Sequence, residues 1–320
     1  RLAQKFNVSR ICAKEAYREL EKEHLVHRIR GKGTFINVDN SRTLPCERWI
    51  SVILPALDSA FLQSILNGIY DFFRDTEYNI FVQYSEQNSK QEERQIKAAC
   101  YNHASGILIY PTDNETYNME LLKLCLNHYP TVVLDRSLPG LNFPLVSADH
   151  YQSAYAITKR MLEYGRKTIC FFVTQTDRLT SSVAARCLGY EAALKEKKLL
   201  PHYQFIPEME YHSAIHDCLD SFPETDGVII QSGMPEKIFY KEFLSRNLLD
   251  KILIAVYDTT LPDYLNPLSD LQHIRVTQNP YNIGKTAAEI LYENLEFNSP
   301  LKSATVPSEV LEFPQSHKDD

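Results

Sequence analysis

"ISVILPALDSAFLQSILNGIYDFFRDTEYNIFVQ" (residues 50–83) carries two hydrophobic periods in one stretch. Residues 50–54 form a short aliphatic, β-branched run, the pattern of a strand buried on both faces. Over 58–76 the residues Phe61, Ile65, Ile69, Phe72 and Phe73 recur at helical spacing, which predicts an amphipathic helix. Residues 79–83 return to the strand pattern. The unit then repeats outward: GILIY (106–110), TVVLD (131–135), TICFFV (168–173), GVIIQ (227–231) and ILIAVY (252–257) are further strand-like runs with amphipathic stretches between them. Seven such runs between residues 50 and 257 exceed one comfortable sheet, so 49–320 is expected to hold two α/β subdomains.

Ligands of such sheets sit beyond the C-terminal ends of the strands. That rule selects residues 55–61, 84–88, 135–137, 174–186, 231–235 and 257–260. Asp58, Asp258 and Arg186 can make charged hydrogen bonds to hydroxyl groups, and Phe61 and Tyr211 offer flat faces to a pyranose ring. A sugar needs both, because each hydroxyl must be paired and each C–H face covered. Singly, each residue has an ordinary structural role, such as an Asp capping the next helix. Their convergence on one sheet edge is what points to a sugar.

Upstream the character changes. "FNVSRICAKEAYRELEKEHLV" (6–26) reads as a turn and a helix, with Ser9 as the cap whose hydroxyl accepts from first-turn amides. Ala13, Ala16, Tyr17 and Leu20 make an apolar stripe, and Arg10, Lys14 and Arg18 occupy the adjacent face. "RLAQKF" (1–6) reads as a short helix burying Leu2, Ala3 and Phe6, so the pair forms a helix-turn-helix. "RIRGKGTFI" (28–36) then becomes a wing: LVHRIR (25–30) and TFINV (34–38) as antiparallel strands, with Arg30, Gly31, Lys32 and Gly33 turning between them. Glycines let the backbone approach phosphate or a minor groove, and the cations supply the charge. Residues 39–48, polar and carrying Pro45, read as a linker between a 1–38 DNA-binding domain and the 49–320 body.

Two resemblances follow from these stretches. Residues 2–36 resemble, without gaps, the winged helix of gluconate-repressor-type (GntR) bacterial regulators. The resemblance implies major-groove and backbone contacts from Ser9, Arg10 and Lys14 and minor-groove contacts from Gly31 and Lys32, with Arg30 and Thr34 of the wing also expected to bind DNA. Cys12-Ala13-Lys14 replaces that family's Thr-Val-Arg, and His24 replaces a helix-ending Gly. The family's first helix is not in the sequence, which begins inside the second and is expected to continue upstream of Arg1.

The 50–96 stretch, with SGILIYP, TVVLDR, ARCLGYEAAL and IAVYD, is similar in order and spacing to the effector domain of the lac/galactose-repressor family. That implies a type-1 periplasmic-binding-protein fold: two α/β lobes, three crossovers and a sugar in the cleft. By position it implies ligand contacts from Asp58, Phe61, Ser85, Arg186, Tyr211, Asp258 and Gln278. Gln231-Ser232-Gly233 replaces the family's Ala-Asn-Asp, leaving the short Ser232 where an Asn usually reaches the ligand.

The composition fits this reading. Residues 1–48 hold 11 Lys+Arg against 6 Asp+Glu, while the rest holds 34 − 11 = 23 against 41 − 6 = 35, within a net charge of −7. A basic head on an acidic body suits a polyanion partner for the head alone. The seven cysteines are scattered without a C-x-x-C, which predicts reduced thiols in a cytoplasmic protein. No run approaches the ~18 apolar residues of a membrane span. His212 and His216 stand at i, i+4 but lack a third ligand, the nucleophile-elbow and phosphate-loop motifs are missing, and Glu92-Glu93 reads as a solvated helix face. The expectation is a DNA-binding regulator without cofactor, metal or enzymatic activity. It would pair as a homodimer on double-stranded operator DNA and respond to a mono- or oligosaccharide. A purine or nucleoside effector and a transport-type sugar-binding protein are the alternatives.

Overall fold

A computed structural model describes residues 8–22, 26–29, 33–36, 48–57, 59–112, 118–174, 179–207, 210–231, 234–258 and 272–313. The chain forms two compact units, Arg1–Arg48 and Trp49–Asp320.

In the first unit, helix α1 (Arg10–Lys22) starts where the Ser9 Oγ accepts from the Cys12 amide at 3.1 Å. Strands β1 (Val26–Ile29) and β2 (Gly33–Ile36) follow as an antiparallel pair in the register Val26↔Ile36 to Ile29↔Gly33. Gly33 has φ of 120°, a conformation closed to residues with a β-carbon, so the turn needs this glycine. Ala13 and Val26 are buried, whereas Leu20 is more exposed than the apolar stripe predicts. The predicted helix over 1–6, His24 and most of the 39–48 stretch lie outside the described residues.

Among the described residues, the second unit holds two six-stranded sheets. The amino-terminal lobe contains β3 (Trp49–Leu54), β4 (Asn79–Tyr84), β5 (Gly106–Ile109), β6 (Thr131–Leu134), β7 (Leu145–Ala148) and, from far along the chain, β13 (Ala304–Val306). Their order is β13-β7-β6-β5-β3-β4, all parallel. The carboxy-terminal lobe contains β8 (Ile169–Thr174), β9 (His202–Ile206), β10 (Gly227–Ile230), β11 (Leu253–Tyr257), β12 (His273–Thr277) and β14 (Glu309–Phe313). Their order is β14-β12-β11-β10-β8-β9, with β14 alone antiparallel. The two orders superimpose strand for strand, and the chain passes between lobes at 148–150, 277–280 and 306–309.

The helices repeat the same plan. Among the described residues, α2 (Ala60–Phe73), α3 (Ser89–Tyr101), α4 (Met119–Leu126) and the late α9 (Pro280–Phe297) serve the first lobe. α5 (His150–Glu163), α6 (Ser181–Glu196), α7 (Tyr211–Ser221) and α8 (Glu236–Ser245) serve the second. In each lobe one helix pair touches through a glycine at the same place. A β-carbon on Gly68 would stand 2.0 Å from the Tyr281 carbonyl oxygen, and one on Gly189 would stand 2.1 Å from that of Tyr151. Only glycine permits backbones this close.

The helix predicted over 58–76 runs Ala60–Phe73, because the Ser59 hydroxyl accepts from the Leu62 amide at 3.2 Å and fixes the start. It buries Leu62, Ile65, Ile69 and Phe73, while Phe61 and Phe72 stay half-buried. Glu92 corrects the expected solvated face. It is fully buried, its carboxylate accepting from the Thr112 amide and the Asn118 Nδ2, each at 3.1 Å. Both donors, Thr112 and Asn118, lie twenty or more residues further along the chain, which spacing along a helix could not disclose.

Candidate ligand cleft and DNA-binding head

The strands β6 and β11 are equivalent in the two sheets, and each ends in an aspartate. Asp135 donates its amide to the Val146 carbonyl at 2.8 Å, and Asp258 donates its own to that of Val276 at 2.9 Å. Both adopt left-handed backbone, with φ of 62° and 39°. A conformation uncommon outside glycine, held by a neighbouring strand in each lobe, turns both carboxylates off the sheet ends.

Between them lies a polar cluster that draws on both lobes. Arg186, in the second turn of α6, is buried. Its Nη2 donates to the Gln278 Oε1 and lies 3.3 Å from the His150 Nδ1, and its guanidinium covers the Tyr257 ring at 4.3 Å. Gln278 donates its amide to the Asp258 Oδ1 at 3.0 Å and its Nε2 to the Oδ2. His150, at the start of α5, lies 3.3 Å from the Asp135 Oδ1, and the Tyr110 hydroxyl donates to the Asp135 Oδ2 at 2.9 Å. The chain Asp258–Gln278–Arg186–His150–Asp135 thus runs from one lobe to the other. A second bridge runs from the Ser137 amide to the Ser181 Oγ at 2.9 Å.

The charges are tuned by this setting. Burial alone would raise Asp135, but His150, then Arg136 and Arg186, outweigh it and hold the carboxyl at about 2. Burial moves Asp258 the other way, upward, against the opposing hydrogen bonds from Gln278 and the charge of Arg186. Burial likewise pushes the Tyr257 hydroxyl to about 12, so it stays a neutral donor.

Of the residues expected to hold a ligand, Arg186, Asp258 and Gln278 meet directly. Ser85 is buried just beyond β4 with its hydroxyl unpartnered. Phe61 packs against the core of the first lobe, and Tyr211 opens α7 and packs against that of the second. Neither touches the Arg186 cluster in any contact described. Asp58 and Ser232 lie outside the described residues. Sequence reasoning did not single out Asp135 or His150. The signal for Asp135 was available, because TVVLD and AVYD are the same strand-then-aspartate pattern in the two halves.

In the head, Ser9 caps α1, Lys14 and Arg18 are exposed on that helix, and Thr34 is half-buried in β2 opposite Arg28. Arg10 is the first residue of α1; Arg30, Gly31 and Lys32 lie outside the described residues. His212 and His216 are exposed and lie against carboxylates, Glu242 at 2.7 Å and Asp220 at 3.4 Å.

Two parallel-sheet lobes, joined by three crossovers and meeting through polar side chains at their strand ends, define a two-lobed ligand-binding body. The chain belongs to the periplasmic binding protein domain family, whose model matches residues 50–299. Residues 1–36 match the bacterial regulatory proteins of the gntR family. Among curated proteins, the chain is 23% identical to the arabinose metabolism transcriptional repressor of Halalkalibacterium halodurans, over 98% of this chain and 87% of the relative. It is 25% identical to the repressor of the same name in Geobacillus stearothermophilus, of which it spans about half, 53%. It is also 25% identical to catabolite control protein A of Priestia megaterium, over 84% of this chain and 81% of that one. The transcription regulator CcpA of Lactococcus lactis has the same fold, with a TM-score of 0.68 at 17% identity over 82% of this chain and 97% of that one. So does GanP, a glucose-galactose binding protein from Geobacillus stearothermophilus, with a TM-score of 0.69 at 18% identity over 83% and 98%. A gntR-type head on a periplasmic-binding-protein body is the architecture of a ligand-controlled DNA-binding transcription regulator. Among the described residues no helix is long and apolar enough to cross a membrane.

Proposed function

We propose that this chain is a cytoplasmic transcriptional regulator, without enzymatic activity, whose affinity for operator DNA is set by a sugar bound between its lobes. The observation that carries the reading is the Asp258–Gln278–Arg186 chain at the ends of β11, β12 and α6. It gathers carboxylate, amide and guanidinium groups at the interface of the two lobes, and a ligand touching all three can change how the lobes meet. Asp58, Phe61, Ser85, Tyr211 and Ser232 complete the proposed pocket. The head supplies Ser9, Arg10, Lys14, Arg30, Gly31, Lys32 and Thr34 to DNA, and two copies place two heads on the two halves of one operator. The names of the relatives, arabinose repressor and catabolite control protein, support a response to carbohydrate.

The test is a thermal-shift screen of the full chain against mono- and disaccharides, followed by operator retardation with any hit. A sugar that stabilises the protein and changes operator affinity is the expected result. Stabilisation by purines and by no sugar would transfer the site to the nucleoside alternative.

A further inference from the structure

Cys170 in β8 and Cys218 in α7 are 48 residues apart in the chain, yet their sulfurs lie 3.2 Å from each other, the Cys218 thiol donating to the Cys170 Sγ. Both are fully buried, within the apolar cluster that includes Phe172, Ile215, Leu219 and Val228. The other described cysteines, Cys12, Cys100, Cys125 and Cys187, are exposed or half-buried.

The two sulfurs are carried by elements of unequal firmness. β8 is an interior strand, with Cys170 in register with His202 of β9 on one side and Val228 of β10 on the other. α7 lies on the sheet through Ala214, Ile215, Cys218 and Leu219, and it begins at Glu210 without a side-chain cap. Its outer side is tied to α8 and the residue after it by His212 against Glu242 and Asp220 against Arg246. His212 and Asp220 are exposed, so these pairs contribute little. α7 is thus the element that can lift from the sheet by local opening. A disulfide is about 2.05 Å long, so closing one would shorten the sulfur separation by about 1.2 Å. A strand bonded on both sides cannot supply that movement, and the helix can.

We infer that Cys170 and Cys218 are a redox-active pair, closed to a disulfide by a hydroperoxide, and that closure fastens α7 to the second sheet. When α7 lifts, it carries Cys218 into water, where a thiol ionises near about 8.5. The thiolate attacks one peroxide oxygen: an S–O bond forms and the O–O bond breaks. The leaving oxygen takes up the proton, giving an alcohol, or water from hydrogen peroxide, and Cys218 becomes a sulfenic acid. As α7 settles back, the Cys170 sulfur attacks that of Cys218. The S–S bond forms, the S–O bond breaks, and hydroxide leaves with the Cys170 proton as water. The two sulfurs together lose two electrons, which the hydroperoxide gains. A pair that rests reduced and closes only under peroxide suits the cytoplasmic setting proposed above.

The experiment treats the reduced full chain with hydrogen peroxide, alkylates the remaining thiols in denaturant and maps disulfides by mass spectrometry. A Cys170–Cys218 cross-link within one chain is expected. In the cross-linked protein the α7 amides should exchange with deuterium at least about tenfold more slowly than in the reduced one, because the opening that frees the helix is blocked. Reduction with dithiothreitol should restore the original exchange, and Cys218→Ala should show no slowing under peroxide. If that variant does not fold, the dithiothreitol reversal in the parent supplies the same control. Oxidation of the exposed Cys12 while Cys170 and Cys218 remain free thiols overturns the inference. So does a cross-link that leaves α7 exchange unchanged, or a slowing that persists in Cys218→Ala.

Discussion

Replacing Glu92 by glutamine should abolish a pH dependence built into the first lobe. The side chain is fully buried, and that burial raises the carboxyl to about 7, against a smaller opposing effect of the Thr112 amide. The folded protein therefore keeps a proton that the unfolded chain releases above its ordinary value of 4.5. Between these values the native state binds more protons, so this group's contribution to stability falls as pH rises, and is constant above about 7. The interval of 7 − 4.5 = 2.5 corresponds to about 3 kcal/mol at most, at 1.36 kcal/mol per unit. Glutamine removes the titration but offers one acceptor to two donors, since the Asn118 oxygen is committed to the Glu120 and Leu121 amides. One donor left unpaired costs about 1–3 kcal/mol. Glu92→Gln should accordingly be less stable than the parent near pH 5 and level with it, or more stable, near pH 8. The single tryptophan, Trp49, starts β3 in the same lobe and donates to the Asn102 carbonyl at the end of α3, so its fluorescence in urea titrations reports the right unit. A stability difference between variant and parent that stays constant from pH 5 to 8 would refute the reasoning.

Three further outcomes are expected. Gly189→Ala forces a β-carbon against the Tyr151 carbonyl and should cost about 1–3 kcal/mol through displaced backbone, read as a lower midpoint in denaturant; an unchanged midpoint would mean that α5 and α6 can part without cost. Arg186→Ala should weaken the effector by roughly ten- to a hundredfold, the loss of a charged hydrogen bond, while operator binding without effector persists; wild-type effector response would remove Arg186 from the pocket. Lys14→Ala should flatten the salt dependence of operator binding by about one unit in log–log slope and weaken all sequences alike, and equal slopes would take Lys14 off the phosphates.

The central strands were legible because they are buried on both faces and therefore continuously apolar: β5, β6, β10 and β11 are wholly buried. β7, β9, β12, β13 and β14 were not, and the reason is their surroundings. β12 carries Arg275, whose guanidinium covers Phe313 at 4.5 Å, and His273, stacked on the same ring at 4.9 Å, so polar residues become strand residues only through the neighbouring β14. Arg186, Asp258 and Gln278 could be placed from position alone. His150 could not, because its partners come from segments 15 and 36 residues away, brought together by the first crossover. Glu92 beside Glu93 gave no hint of burial, since its partners Thr112 and Asn118 belong to the next loop.

The three crossovers also set the order in which the body can be completed during synthesis. The first lobe's main core joins Ile50, Val52, Leu54 and Ile65 to Ile283, Ala287, Leu291 and Val306. Its first strand, β3, therefore leaves the ribosome more than two hundred residues before the helix that covers it. The buried clusters of the second lobe, by contrast, are drawn from residues 154–276 and can close as soon as that segment emerges. The main core of the lobe translated first thus closes after that of the second, although β14 completes the second sheet later still, and until then an apolar sheet face stands open to chaperones or to a neighbouring nascent chain.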